Sequence, residues 1–395
     1  MDSPGTIDAR RGRSDGPTVK QGMRQTDMKK SNLEVGQWVE VRSKQEILRT
    51  LDKNACLDGM PFMPEMFAWC GQRFRVVKSA HKTCDTVFPV RGRSLNDSVH
   101  LGTRCDGSAH GGCQAGCLIF WKSAWLKPAA APGHHGASVS LPVPSVSTVV
   151  EGAQATVCTE SDVRRAARMP QDGDADPTYV CQATRLPYFT SDLNPFDPRQ
   201  YVTDLSSGNV DLGKWIRGVI YITYRNLINL GIGLGRPLRW LYDRFQALVG
   251  GIAYPRHPGL IPMGQATPTA ELNLQEGDWV KIKSYRDILA TCNEENKNRG
   301  LFFDAEQVPY CGGTYRVHKR VTQILNEQTG KMMQMKNPCI VLEDVYCRSR
   351  YSDCRMFCPR GIYSYWREIW LERAPSPLQS DSRLSEPSLL NHWHP

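Results

Sequence analysis

Three cysteines and one histidine lie within 13 residues of this chain, between Cys105 and Cys117. Thiolate sulfur and imidazole nitrogen are ligands that zinc prefers in proteins. A second group, Cys347, Cys354 and Cys358, lies near the end of the chain. These groups predict metal or thiol chemistry. The first group stands in the glycine-rich stretch Arg104-Cys105-Asp106-Gly107-Ser108-Ala109-His110-Gly111-Gly112-Cys113-Gln114-Ala115-Gly116-Cys117, whose glycines let the backbone curve around one point.

The two cysteine groups belong to longer segments that match each other. Between Leu33 and Lys78, adding 241 to a residue number gives the matching residue without a gap. Self-similarity at a fixed offset indicates an internal repeat, so the sequence predicts one duplicated module. The matching pairs include Gly36 and Gly277, Trp38 and Trp279, Ser43 and Ser284, Phe62 and Phe303, Glu65 and Glu306, Trp121 and Trp366, and Trp125 and Trp370.

Four cysteines occupy equivalent positions in both copies, and a tetrahedral zinc site needs four ligands. We therefore expect one zinc ion in each copy. A four-cysteine iron–sulfur cluster is the alternative metal centre, although the spacing is not that of ferredoxins. Disulfides, redox pairs and plain core cysteines are the other interpretations. The equivalent residues are Cys70, Cys105, Cys113 and Cys117 in the first copy, and Cys311, Cys347, Cys354 and Cys358 in the second.

Some chemically capable residues belong to the first copy alone. Cys84 lies in polar surroundings and is an alternative to Cys70 as the fourth ligand, or else a reactive thiol. His110 aligns near Tyr351 or Ser352, so the second copy has no histidine there. We expect His110 to act as a ligand, a supporting donor or an acid–base group. An enzyme or redox carrier would then use Cys84, His110 and Asp106 as its catalytic residues.

Composition sets outer bounds on the class of protein. The chain has 395 residues, of which 40% are hydrophobic, enough for two or three domains with real cores. Its net charge of +9 permits contact with nucleic acid or with an anionic membrane surface. The polar N-terminus has no apolar signal region, which predicts a cytoplasmic location. In that reducing compartment, the 14 cysteines are expected to bind metal rather than form disulfides.

The predicted fold class is α+β, mostly β, with two tandem, small, SH3-like, cysteine-rich modules on either side of a helical middle segment. Ser43 is predicted to cap a helix from Lys44 to Lys53, with Glu46 completing a capping box. The predicted segments are a disordered basic tail (1–31), module 1 (32–127), a Pro/Ser/Ala linker (128–157), the middle segment (158–260), module 2 (271–374) and a disordered tail (375–395).

The most apolar part of the chain lies in the middle segment, at residues 210–249. A membrane-spanning helix needs about 20 mostly apolar residues, but Arg217 and Arg225 interrupt the run and Pro237 follows. We expect two amphipathic helices here instead, packed on the protein or lying on a membrane surface.

The motif Arg104-Cys105-Asp106-Gly107-x-x-His110-Gly111-Gly112-Cys113-x-x-x-Cys117, together with Pro61-Phe62-Met63-Pro64-Glu65-Met66, resembles a group of uncharacterised bacterial hypothetical proteins. That resemblance implies no activity. The pattern of Gly36, Trp38, Val39 and Val41 leading into Phe74-Arg75-Val76 resembles, more distantly, the opening of SH3-like barrels. Likeness of fold does not imply function.

The sequence favours a non-catalytic, zinc-binding scaffold or accessory protein that binds an unknown protein partner through its modules. A closed metal site with four protein ligands would follow from this hypothesis. The alternatives are a thiol- or metal-dependent enzyme or redox carrier acting through module 1, and a nucleic-acid-binding protein. The motif His-Glu-x-x-His and a glycine-rich phosphate loop are missing from the sequence.

Overall fold

The computed structural model describes residues 33–86, 91–131, 158–169, 176–231, 233–352 and 355–376. These residues belong to one compact unit, Asn32–Pro395. The predicted tail 1–31, nearly all of the tail 375–395, most of the linker 128–157 and Cys354 lie outside the described residues. The predicted domain boundaries stay predictions.

The fold is a mixture of helices and small antiparallel sheets, so the α+β class is confirmed at this level. The SH3-like assignment stays a prediction. The strands are β1 (Trp38–Val41), β2 (Cys56–Leu57), β3 (Met60–Pro61), β4 (Arg73–Arg75), β5 (Lys78–Ser79), β6 (Lys82–Cys84), β7 (Gly92–Ser94), β8 (Ser98–His100), β9 (Trp121–Lys122), β10 (Leu126–Pro128), β11 (Ser191–Leu193), β12 (Trp279–Ile282), β13 (Lys297–Asn298), β14 (Leu301–Phe302), β15 (Thr314–Leu325), β16 (Met332–Leu342) and β17 (Leu371–Arg373).

The α-helices lie mainly in the middle segment, and short 3₁₀ helices lie within the modules. The 3₁₀ helix Pro64–Trp69 matters most for the site described below. The α-helices are α1 (Lys44–Leu48), α2 (Glu160–Ala166), α3 (Leu186–Phe189), α4 (Arg199–Ser206), α5 (Leu212–Ile228), α6 (Gly235–Leu248) and α7 (Tyr285–Leu289).

The central sheets of the two predicted modules have matching pairings. The first has the strand order β10-β1-β4 and the second the order β16-β15-β12-β17. Trp38 pairs with Arg75 in one and Trp279 with Arg316 in the other. Val41 pairs with Leu126 just as Ile282 pairs with Leu371. Three of the four matched positions in these pairings follow the 241-residue offset, whereas Leu126 and Leu371 differ by 245, as Trp125 and Trp370 do.

Helix α1 begins as predicted and ends early. The Ser43 hydroxyl accepts a hydrogen bond from the Glu46 backbone N–H, and the Glu46 carboxylate accepts from the Ser43 backbone N–H, so the capping box is confirmed. The predicted end at Lys53 is wrong, because the helix stops at Leu48. The Asp52 carboxylate accepts hydrogen bonds from the backbone N–H groups of Asn54 and Cys56, which fixes a turn there.

Each module has a core built around two buried tryptophans. Trp121 and Trp125 are fully buried in the first core, and Trp366 and Trp370 in the second. Phe62 meets Trp125 edge-on at 5.2 Å between ring centroids. Indole N–H groups in such cores need acceptors. The Trp125 Nε1–H donates to Thr50 Oγ1 at 3.1 Å, and the Trp370 Nε1–H to Thr291 Oγ1 at 2.9 Å.

The middle segment packs along both modules. Strand β11 pairs with β7 of the first module, and the buried Lys82 amino group lies 2.5 Å from the buried carboxylate of Asp204 on α4. Helix α5 packs Gly218 against Phe357 of the second module. Within the described part of the chain, no helix combines the length and apolar character needed to cross a bilayer.

Replacing either threonine acceptor by valine should destabilise the protein to a similar extent. Thr50→Val and Thr291→Val keep the side-chain shape but leave a buried indole N–H unpaired, a loss of about 1–3 kcal/mol. Urea denaturation would measure the free energy of unfolding. Thr203→Val is the control, since its hydroxyl donates to the Arg199 carbonyl of the same helix and this hydrogen bond is exposed to solvent. A neutral Thr291→Val beside a destabilising Thr50→Val would show that the two tryptophans are held differently.

Candidate metal centre

Glu65, Cys105 and His110 form a buried group of three side chains that can each supply a metal ligand. The Cys105 thiol donates to Glu65 Oε1 at 2.8 Å, and His110 Nδ1 lies 3.1 Å from the same oxygen. The side chains of His110 and Glu65 are only 1% and 2% exposed. Sulfur, nitrogen and oxygen atoms therefore converge on one point, at which the acid and the histidine are buried and the cysteine is half-buried.

Two structural elements bring these side chains together. Glu65 stands on the 3₁₀ helix Pro64–Trp69, while Cys105 and His110 stand on the loop 104–117. The loop closes on itself, because the Cys105 N–H donates to the Cys117 carbonyl at 2.9 Å. Gly107 has φ +75°, and a Cβ there would lie 2.0 Å from the Cys113 carbonyl oxygen. Only glycine fits at that point.

The other nitrogen of His110 is held by the middle segment. His110 Nε2 lies 3.0 Å from the Val180 carbonyl oxygen, which can only accept, so Nε2 carries a proton. A protonated ring would donate from Nδ1 to Glu65 Oε1, whereas a neutral ring turns the Nδ1 lone pair toward that carboxylate and finds no donor among the described residues. Glu65 Oε2 likewise has no hydrogen-bond partner among the described residues. Buried polar atoms are nearly always satisfied, so this pair fits a bound cation.

Electrostatics differ between the acid and the thiol of this group. Burial would raise the pKa of Glu65, but its contacts with His110 and Cys105 outweigh burial and hold that pKa below its usual value. Burial and the adjacent Glu65 carboxylate raise the pKa of Cys105. Cys105 is therefore protonated at neutral pH unless a cation displaces the proton.

A small cavity of about 30 Å³ adjoins this group. That volume is enough for an ion or a water molecule, but far below the size of ordinary ligand sites. Burial raises the pKa of Cys117 to about 12 and that of Cys181 to about 11. The polar and sulfur-bearing lining comprises Met63, Cys105, His110, Cys113, Cys117, Cys181, Gln182, Glu327 and Arg360.

The structure places the predicted ligands of the first copy in different ways. It brings Cys105 and His110 into the three-residue group, and Cys113 and Cys117 into the wall of the adjoining cavity. Cys70 lies half-buried at the end of the 3₁₀ helix Pro64–Trp69, outside both sets. The four-cysteine arrangement in this copy stays a prediction.

The matching position in the second copy has a different chemistry. Glu306 accepts hydrogen bonds from the Tyr351 backbone N–H and from the Ser352 hydroxyl, the latter at 3.2 Å. Burial raises the pKa of Glu306. Burial also raises the pKa of Cys347, and the nearby Glu306 raises it further by a smaller amount. Half-buried Cys311 matches Cys70, and Cys354 lies outside the described residues.

Cys84 lies against the second module. Its backbone N–H donates to Cys358 Sγ at 3.0 Å, and both residues are buried. Burial raises the pKa of Cys358, but hydrogen bonds from Cys84 and the Arg360 backbone lower it to about 7. The pKa of Cys84 is correspondingly raised. Asp106 is exposed and accepts hydrogen bonds from Ser108. Cys84 and Asp106 thus contact residues other than those that contact His110.

The sequence patterns indicated the cysteines and His110 as candidate ligands but did not indicate Glu65. The available signal was Glu65 itself, a carboxylate in the apolar run 61–66 that reappears as Glu306 in the second copy. Val180 and Cys181 could not be found by spacing, since they come from a segment far along the chain.

No protein-family model and no curated protein sequence matches this chain. The resemblance to the bacterial group therefore stays a prediction, and function must be inferred from the site.

Acid should weaken the fold through His100, which lies in β8. Its Nδ1 bonds to the Ile119 carbonyl at 2.8 Å, and burial lowers its pKa to about 4 despite that bond. The unfolded value is about 6.5. Because the pKa is lower in the folded protein than in the unfolded chain, His100 contributes fully to the free energy of unfolding above pH ~6.5. As the pH falls from 6.5 toward 4, this contribution decreases by about 3 kcal/mol.

The test is urea denaturation of wild type and His100→Val across that range. Valine is the natural choice, because Val341 is buried at the matching position of the second copy. We expect the variant to lose less unfolding free energy on acidification than wild type. Equal losses would mean that His100 is not neutral in the folded protein.

Proposed function

We propose that this chain is a zinc-stabilised accessory or scaffold protein, in which Glu65, Cys105 and His110 supply three of the four ligands of one zinc ion, and a water molecule or a cysteine of the adjoining cavity supplies the fourth. The observation that carries the proposal is the buried convergence of three ligand types, with Nδ1 of His110 and Oε2 of Glu65 unsatisfied among the described residues. Carboxylate, thiolate and imidazole are all zinc ligands. Metal-bound histidines commonly donate their other N–H to a backbone carbonyl, and Val180 accepts such a bond here.

Two observations support a structural metal rather than a catalytic one. The cavity beside the group is too small for a substrate, at about 30 Å³. A nucleophilic thiol needs a base in contact with it and a lowered pKa. Cys105 does contact a base, the Glu65 carboxylate, but burial and the negative charge of that carboxylate disfavour the thiolate and raise the pKa of Cys105. Zinc bound here would supply charge neutralisation and fixed geometry.

The proposed metal would hold the loop 104–117 in the shape that docks on the second module. Gln114 Oε1 accepts from the backbone N–H groups of Thr322 and Gln323, at 2.7 and 3.1 Å. The Arg104 guanidinium donates to the Gly361 carbonyl at 2.8 Å. A cation under this loop would therefore stabilise the contact between the two modules.

The proposal includes a duplicated fold with unequal copies. In support, the tryptophan-to-threonine hydrogen bonds and the central strand pairings recur at matching positions. Some matching residues also contact each other: Thr86 bonds to Glu327, and the Arg104 guanidinium lies 5.8 Å from the centre of the Tyr346 ring. Such contacts are expected near a local two-fold axis. We assign the zinc to the first copy, because Ser352 takes the place of His110 in the second.

Metal analysis of the full chain, purified without chelators, tests the assignment. We expect about one zinc per wild-type chain, and loss of most of it in Cys105→Ala and His110→Ala, since each removes a ligand. Cys347→Ala is the matched control, because it removes the equivalent thiol of the second copy and should leave the zinc in place.

Glu65→Gln and Glu306→Gln form a second matched pair and change each side chain least. Two results would contradict the assignment to the first copy. One is an equal loss of zinc from Glu65→Gln and Glu306→Gln. The other is an equal loss of zinc from Cys105→Ala and Cys347→Ala. If the purified protein is brown and contains iron and sulfide, the metal centre is an iron–sulfur cluster and not a zinc site.

Cobalt substitution counts the thiolate ligands. Thiolate-to-cobalt charge transfer grows with the number of bound sulfurs, so a site of Glu65, Cys105 and His110 should show the weak signal of one thiolate. Cys113→Ser, Cys117→Ser and Cys181→Ser, which alter the cavity wall, should leave that spectrum unchanged. A strong signal that falls in one of these variants would instead identify that cysteine as a fourth ligand and close the site.

A further inference from the structure

Helices α5 and α6 expose an unusual amount of apolar surface. On α5, Ile220 is 62% exposed, and on α6 Trp240, Phe245 and Leu248 are 60%, 58% and 86% exposed. Leu230, between the helices, is 59% exposed. Single exposed apolar residues are ordinary, but a cluster on neighbouring helices marks an interaction surface.

The packing of the two helices explains which side remains open. Helix α5 buries Gly218 and Tyr221 against the second module, with Tyr221 meeting the Tyr351 ring at 4.8 Å between centroids. Helix α6 has no fully buried residue. It rests on α5 through Tyr242, whose ring lies 5.7 Å from that of Tyr224. The face of α6 that carries Trp240, Phe245 and Leu248 is therefore turned outward.

Charge distinguishes the kind of partner that this surface fits. Between residues 212 and 248 the chain has six basic residues and one acidic residue, Asp243. Asp243 is already engaged by His257 at 2.8 Å. Exposed Arg236 begins α6, and the Arg244 guanidinium lies 5.4 Å from the Trp240 ring centre. Tryptophan, phenylalanine and leucine beside arginine are typical of helices that lie in the interface of an anionic bilayer.

We propose that α5 and α6 form a docking surface for an anionic membrane, with Trp240, Phe245 and Leu248 entering the acyl boundary and Arg236 and Arg244 facing lipid phosphates. The helices lie on the membrane and do not cross it. This inference is independent of the metal site, which uses none of these residues.

Vesicle flotation of the full chain tests the proposal. We expect binding to phosphatidylcholine vesicles that contain phosphatidylserine, and little binding to phosphatidylcholine alone. The double variant Phe245→Ala/Leu248→Ala should bind at least about tenfold more weakly, because two large side chains lose their burial in lipid. Arg236→Gln and Arg244→Gln should each weaken binding about fivefold.

Phe196→Ala is the matched control, since Phe196 is 88% exposed but lies outside the two helices. It should bind as wild type does, and circular dichroism should show all variants folded. Absence of flotation, equal binding to neutral vesicles, or variants that bind like wild type would overturn the proposal. So would a wild-type dimer in solution that Phe245→Ala/Leu248→Ala converts to monomer, since a second copy would then cover this face.

Discussion

The structure of the first module depends on a buried carboxylate. A charged acid in an apolar interior is costly unless charge and hydrogen bonds compensate it. Glu65 obtains its compensation from a thiol and an imidazole, both on the loop 104–117. The loop, in turn, needs Gly107 for its closure and Val180 to orient the histidine. One side chain thus ties together a 3₁₀ helix, a glycine-rich loop and the middle segment.

The same acid has a different environment in the second copy. Glu306 meets a backbone N–H and a hydroxyl, and no basic side chain is among its hydrogen-bond partners in the described part of the chain. Burial then prevails, and the pKa of Glu306 is raised, whereas that of Glu65 is lowered. A raised pKa favours a neutral acid, and a lowered one favours a carboxylate. Two matching residues therefore differ in their fitness to bind a cation because their neighbours differ.

Features that depend on a local sequence pattern, or on the offset between the two copies, could be predicted from the sequence. The Ser43 cap needs only Glu46 three residues later, and the loop 104–117 was identified by its cysteines, its histidine and its glycines. The end of α1 depends on the Asp52 carboxylate, a side-chain choice that apolar periodicity does not register. Glu65 was missed because cysteine spacing received all the weight, and Val180 because tertiary contacts with a distant segment have no local signal. Cys70 stays a predicted ligand, since it lies half-buried at the end of the 3₁₀ helix Pro64–Trp69 and outside the three-residue group.

The middle segment makes the two modules unequal. Near the first copy, Val180 orients His110, and the Gln182 side chain bonds to the backbone of Phe120. At the second copy, α5 packs on Phe357 with an apolar face, which cannot orient a metal-binding histidine. The stretch around Val180 also reaches the second module, where the Tyr179 backbone N–H donates to the Gly330 carbonyl at 2.8 Å. The stretch around Val180 thus orients His110 at one module, while α5 and α6 at the other leave apolar side chains exposed.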